Sequence, residues 1–141
     1  MLSGRLVVAA ASMAPESWHK LLNEKILPNN PLYSSIDMVR EYRLRDLVRN
    51  LQLFEDDVAQ FIRRNSRIDF LLYNKIDKTP VLAIEVDGVS FHSNELQQKR
   101  DRKKDYVLKT IGLPLLRLST EGHNEEQRII ESLNEAMGLK N

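Results

Sequence analysis

The chain contains no cysteine, which removes disulfide frameworks, zinc–thiolate centres and thiol nucleophiles from the chemistry open to it and suits a reducing cytoplasm. Glycine is scarce, at five residues, and none of it forms a glycine-rich phosphate loop; internal repeats and low-complexity tracts are missing as well. No apolar run is long enough to span a bilayer. Residues 2–14 (LSGRLVVAAASMA) imitate a short signal peptide, but their basic region is a single arginine and their apolar run is short. They read as a tail of residues 1–14 ahead of a domain over residues 15–141. There is little net charge either, +1 in all, yet the cations are unevenly spread. They gather in residues 40–49, at Arg63, Arg64 and Arg67, and in residues 99–104, so a polyanion could be held locally by a nearly neutral chain. At 141 residues and 42% hydrophobic, the sequence supports one domain with a real core.

What is present is an alternation of helical and extended patterns. Pro15 opens a helix to about Ile26, with Trp18, Leu21, Leu22 and Ile26 on one face and Glu16 in its first turn, where a carboxylate suits the helix dipole. Residues 28–31 (PNNP) break the chain, residues 36–43 suit a strand, and residues 44–51 a helical turn. Residues 54–64 (FEDDVAQFIRR) have helical spacing. Residues 95–111 form a long helix closed by Gly112. Its burying stripe carries Leu96, Val107, Leu108 and Ile111, and the same stripe carries the polar residues Gln97, Arg100 and Lys104. Lys99, Arg102 and Lys103 read as its solvated face. Residues 113–119 (LPLLRLS) make a strand parallel to the one before the helix. Asn124 caps a last helix to Met137, with Ile129, Ile130, Leu133 and Met137 inward, ended by Gly138.

The centre of the chain is a hairpin: 68–73 (IDFLLY) and 81–86 (VLAIEV), joined by the polar residues 74–80. Apolar residues fall on both faces of each strand, as in a sheet covered by helices on both sides, yet one face carries acids: Asp69, Glu85 and Asp87. A hairpin symmetric about Asp77 and free of bulges pairs positions whose numbers sum to about 154, which sets Asp69 opposite Glu85 with Cβ atoms about 5 Å apart. Ionised carboxylates that close need a shared cation, or one must stay protonated. A hard divalent ion, Mg²⁺ or Mn²⁺, suits the all-oxygen donors. The alternative is ordinary ion pairing with Arg67 or Arg117.

This order, with EVDGVSFH followed by KRDRKKDYVLKTIGLPLLRLS, resembles the core of the PD-(D/E)XK, or restriction-endonuclease-like, nuclease superfamily. Within it the chain is similar to the branch of the very-short-patch repair endonuclease, and to a domain of uncharacterised function found at the C-terminus of superfamily 1 helicases. The resemblance implies an α/β fold, a central mixed four-stranded sheet in the order α-β-β-β-α-β plus a C-terminal helix. It also implies metal-dependent cleavage of DNA, RNA not being excluded as substrate, with a helicase domain or subunit as partner. By that resemblance Asp69 and Glu85 hold Mg²⁺ or Mn²⁺ with the Val86 carbonyl, and Glu16 and Asp87 support them. The E-x-K lysine is missing, since position 87 is aspartate. His92, in the D-G-x-x-F-H context, matches the histidine that activates water in the repair branch. Lys104 is the candidate for a migrated lysine, oriented by Gln97 and Arg100, with Asp101 nearby. Arg67, Lys99, Arg100, Lys103 and Lys104 are the expected nucleic-acid contacts.

Three functions follow as expectations. The first is a metal-dependent endonuclease or nickase domain of a larger helicase, repair or defence system, located in the cytoplasm and not in a membrane. The second is a nucleic-acid-binding module with a degenerate nuclease fold, and the third an interaction domain with structural ion pairs.

Overall fold

The computed structural model of the protein describes residues 15–87, 95–119 and 124–139. Helix α1, Pro15–Lys20, widens into a π-helical turn over Leu21–Ile26, and its inner residues Trp18, Leu22 and Ile26 are buried. Pro28 and Pro31, which have no N–H to give to a helix, then shape short 3₁₀ turns at Leu27–Asn29 and Pro31–Tyr33. Strand β1 is Ile36–Arg43 and is followed by the single turn α2, Leu44–Leu47. Helix α3, Asp56–Arg63, delivers the chain to β2, Arg67–Asn74, and β3, Pro80–Asp87. Helix α4, Glu95–Thr110, crosses to β4, Leu115–Ser119, and α5, Glu125–Met137, follows.

The four strands form one sheet in the order β1-β2-β3-β4. The first three are antiparallel and β4 is parallel to β3, so the sheet is mixed, as expected. A parallel pair cannot be joined by a tight turn, which is why α4 lies between β3 and β4. Each face buries its own core. Phe70, Leu72, Leu82 and Ile84 meet α1 and α5 on one side, and Leu71 and Ala83 meet α2, α3 and the Val107–Leu108 pair of α4 on the other. This two-sided burial explains the unbroken apolar runs in β2 and β3: each large side chain removed from water on either face contributes about 1.5–3 kcal/mol.

Two local expectations are corrected. Leu96 is not on the burying stripe; it is 57% exposed, because the buried stripe of α4 begins with Val107 and Leu108. Asn124 precedes α5 with a left-handed backbone (φ 63°) and makes no side-chain cap. The helix ends meet expectation. Gly138, at φ 74°, and Gly112, at φ 79°, end α5 and α4. A Cβ on either would touch nothing, so it is the left-handed backbone that favours glycine there.

Candidate active site

The β2–β3 ladder pairs Leu72 with Leu82, Leu71 with Ala83 and Phe70 with Ile84. This register places Asp69 opposite Glu85. The strands are not bulge-free, because Tyr73 pairs with Pro80; that irregularity sits at the turn end and leaves the acids in place. Past Phe70 and Ile84, side chains take over the backbone donors. The Asp69 N–H donates to Glu85 Oε2 at 2.8 Å, and the Val86 N–H donates to Asp69 Oδ2 at 2.8 Å. Each carboxylate therefore closes a parting strand pair with one of its oxygens, satisfying a donor that would otherwise be orphaned.

The other Glu85 oxygen accepts from the Lys104 ammonium, which also donates to the Arg67 carbonyl at 2.8 Å. Both side chains are withdrawn from water, at 6% exposure for Glu85 and 13% for Lys104. Lys104 stands one helical turn before Val107 and Leu108, both fully buried, so the packing of α4 carries its stem over the sheet. The ammonium is thus held by Glu85 and a strand carbonyl, not by Gln97 or Arg100. Gln97 donates instead to Asp101 at 3.0 Å, and Arg100 is exposed.

Burial pushes the carboxyls of Asp69 and Glu85 above their ordinary range. For Glu85 the Lys104 charge opposes the rise and the Asp69 charge adds to it. For Asp69 the Val86 N–H and Lys104 oppose, while Glu41 adds. Glu41 is a site neighbour that sequence reasoning missed. The β1–β2 ladder steps from Arg40–Phe70 to Tyr42–Ile68 and leaves Glu41 unpaired at φ 51°, beside Asp69 on the side away from Glu85. A left-handed glutamate inside a strand is uncommon, and residues 36–43 contain no glycine that would have signalled it.

Arg117 lies opposite Glu85 in the parallel β3–β4 register, but it pairs with neither Asp69 nor Glu85. Its guanidinium stands 3.5 Å from Asp87, 3.5 Å from Asp101 and 2.7 Å from Asp105. Burial opposes its charge, yet the aspartates outweigh that and hold its pKa above the usual value. Asp101 and Asp105 flank Lys104 on α4, so Arg117 fixes the rotation of the helix that carries the lysine. Arg67 takes neither acid; its Nε donates to Asn65 at 3.1 Å. Hence the cation beside the acid pair is Lys104, not an arginine.

Glu16 is not brought to the acids. Its helix packs on the sheet face opposite α4, where the carboxylate is 74% exposed and bound to Arg40 at 2.7 Å; the Arg40 hydrogen bond and charge hold its pKa below the ordinary value. Asp87 is turned to Arg117. His92 falls outside the described residues. Lys99, Arg100 and Lys103, with Lys104, line a cleft of about 620 Å³ between α3 and α4. Lys99, which is exposed, and Lys103, which is half-buried, therefore stand on a solvated face that is concave. The larger cavity, of about 850 Å³, is lined by apolar residues such as Val39, Leu47 and Leu71 and contains none of Asp69, Glu85 or Lys104.

The site offers hard oxygen donors: two carboxylates at facing register positions, next to β3 backbone. Mg²⁺ is commonly held by one or two carboxylates with waters completing its shell, and the residues fit that pattern. Among the described residues there is no cluster of three or more ligating side chains, and the cation already beside Glu85 is Lys104. Among the described residues, no helix is long and apolar enough to cross a membrane. A family model described as "Protein of unknown function (DUF2726)" matches residues 34–137. No curated protein and no solved structure matches the chain.

Proposed function

Given that the chain belongs to the DUF2726 family, we propose that it is a metal-dependent phosphodiesterase domain with a restriction-endonuclease-like fold, acting on DNA. The observation that carries this reading is the meeting of Asp69, Glu85 and Lys104, drawn from three separate elements, in one half-buried spot. It is the constellation expected of the superfamily, with the lysine delivered from α4 in place of the E-x-K position that Asp87 occupies. The order of elements and the single parallel pair agree with the same expectation.

In this reading Asp69 and Glu85 hold Mg²⁺ or Mn²⁺, with the Val86 carbonyl beside them; the ion supplies charge neutralisation at the phosphate and a more acidic water. The chain's own residues do the rest. Glu85 keeps one oxygen toward Lys104, whose charge stays near the scissile group and stabilises the developing oxyanion. Arg117, through Asp101 and Asp105, keeps α4 turned so that the ammonium cannot drift. The base expected at His92 completes the assignment. The test is nicking of supercoiled plasmid in Mg²⁺ or Mn²⁺ by the wild type, Asp69→Asn and Lys104→Met. Loss of nicking in both variants supports the reading, and a wild type that cuts neither plasmid nor single-stranded DNA in either metal refutes it.

A second reading has its own support. Each carboxylate already satisfies a backbone N–H, and Glu85 is already neutralised by Lys104, as suits a nucleic-acid-binding module whose acids hold the sheet together. Plasmid bound but never cut, with no heat of Mg²⁺ or Mn²⁺ binding in calorimetry, would favour it.

A further inference from the structure

The α3–α4 cleft is lined by more cations than its fold requires. Arg64 from the end of α3 faces Lys99, Arg100 and Lys103 of α4, with Lys104 also in the wall and Asp57 as the one acid among its described lining residues. Outside the cleft Arg40 is matched to Glu16, Lys25 to Glu126 and Arg117 to its aspartates, while exposed cations such as Arg43, Arg45 and Lys109 stand without an ion pair among the described residues; what sets the cleft apart is that its cations are gathered on one concave wall. Arg64, Lys99 and Arg100 have no ion-pair partner among the described residues, and Lys103 lies 5.9 Å over the Phe61 ring. Gathering Arg64, Lys99, Arg100 and Lys103 around a single acid costs free energy in the folded chain, and a polyanion is the ligand that returns it.

The cleft is also not uniformly polar. Phe61 of α3 and Leu96 of α4 contribute apolar surface among the cations, and Leu96 is 57% exposed there instead of packing on the sheet. Alternating cations and apolar or aromatic surface is the chemistry that receives a phosphate chain together with the faces of its bases. The apolar surface then selects the strand number. A volume of about 620 Å³ is that of a pocket for a drug-sized molecule, enough to take an unstacked nucleotide; in a duplex the base faces are already stacked on one another and cannot reach Phe61 and Leu96.

We propose that the cleft between α3 and α4 binds single-stranded nucleic acid, with Arg64, Lys99, Arg100 and Lys103 on its phosphates and Phe61 and Leu96 against its bases. Lys104 belongs both to this cleft and to the Glu85 contact, so the strand leads to the carboxylate pair. Where it leads rests on the phosphodiesterase reading; that it binds does not.

The test is fluorescence anisotropy of the full chain in EDTA, using a labelled single-stranded DNA, an RNA of the same sequence and the DNA duplex. Single strands should bind at least tenfold tighter than duplex, with a log–log salt slope of about −3, as four or five phosphate contacts to one strand give. The double variant Arg64→Glu/Lys99→Glu should lose more than tenfold in affinity and flatten the slope, while Lys75→Glu, an exposed position outside the cleft, changes affinity less than threefold. Phe61→Leu should weaken binding about fivefold to tenfold at an unchanged salt slope, since a stacking ring carries no charge. Circular dichroism confirms that each variant is folded. RNA bound as tightly as DNA upholds the cleft as a site for either strand, and RNA bound more tightly identifies RNA as the strand it takes. Duplex bound as tightly as single strand, equal losses from the cleft variants and Lys75→Glu, or equal competition by polyglutamate would each overturn the proposal. Because metal is absent throughout the binding measurement, a wild type that binds single strands but, once Mg²⁺ or Mn²⁺ is added, cuts neither them nor plasmid removes the nuclease reading and leaves this one standing.

Discussion

Replacing Lys104 by methionine tests the electrostatics of the site without emptying it, because methionine keeps most of the stem and deletes only the ammonium. In the native chain that ammonium faces Glu85 where both side chains are largely dry, at 13% and 6% exposure. Deleting one member of such a pair leaves an uncompensated charge, at a cost of about 3 kcal/mol near neutral pH. For a domain of 141 residues this corresponds to a fall in Tm of about 10 °C. The sign of the pH dependence follows from the carboxylates. Burial already raises the pKa of Glu85 and Lys104 holds it down, so the variant's Glu85 rises further above its unfolded value. A carboxylate raised in the folded state keeps a proton that the unfolded chain releases, so stability is lost as pH rises from the ordinary carboxylate range through the folded pKa. Urea or thermal unfolding at pH 5 and pH 7.5 should therefore show a deficit of about 1 kcal/mol at the lower pH, from the lost bond to the Arg67 carbonyl, and about 3 kcal/mol at the higher. Millimolar Mg²⁺ should restore about 1.4 kcal/mol at ten times its Kd by pairing with the carboxylates that Lys104 no longer neutralises. A deficit equal at both pH values would refute the buried-pair account, and a variant indifferent to Mg²⁺ would refute the metal site.

Asp69→Asn removes a carboxyl whose pKa is raised by burial, so its stability relative to wild type should improve as pH rises from about 4 toward 7, measured by thermal unfolding in EDTA; a difference that does not move with pH would contradict the assigned direction. Arg117→Met should cost about 1 kcal/mol in urea unfolding by taking the guanidinium from Asp87, Asp101 and Asp105, which are partly exposed, and Arg117→Lys should recover only part of it, because one ammonium cannot span them all. Ile62→Ala, at a side chain with no exposed surface in the core beneath α3 and α4, should cost about 2–5 kcal/mol, and should weaken plasmid nicking no more than the loss of folded protein accounts for.

The sequence by itself determined the order of the elements, the two-sided burial of the hairpin and the pairing of Asp69 with Glu85. Those follow from short-range rules: a period of two along a strand, a period near 3.6 along a helix, and a register that a nearby turn holds within a residue. Singling out Lys104 was likewise possible because it shares a helix face with Val107 and Leu108. What only the tertiary structure decided depends on elements distant in the chain and on how their faces meet. Glu16 and Lys104 both read as partners of the acid pair, but α1 and α4 pack on opposite faces of the sheet, which sends Glu16 to Arg40 and Lys104 to Glu85. Arg117 stood as a partner for Asp69 and Glu85, yet the parallel register and the turn of α4 present it to Asp87, Asp101 and Asp105. Glu41 entered the site through a left-handed interruption of β1 that no local propensity favours, because glutamate adopts that backbone only where the pairing on either side holds it there. Leu96 shows the same limit: helical period places it on the apolar stripe, but the N-terminal half of α4 lies over the α3 cleft and not over the core, so the side chain that looked buried faces water.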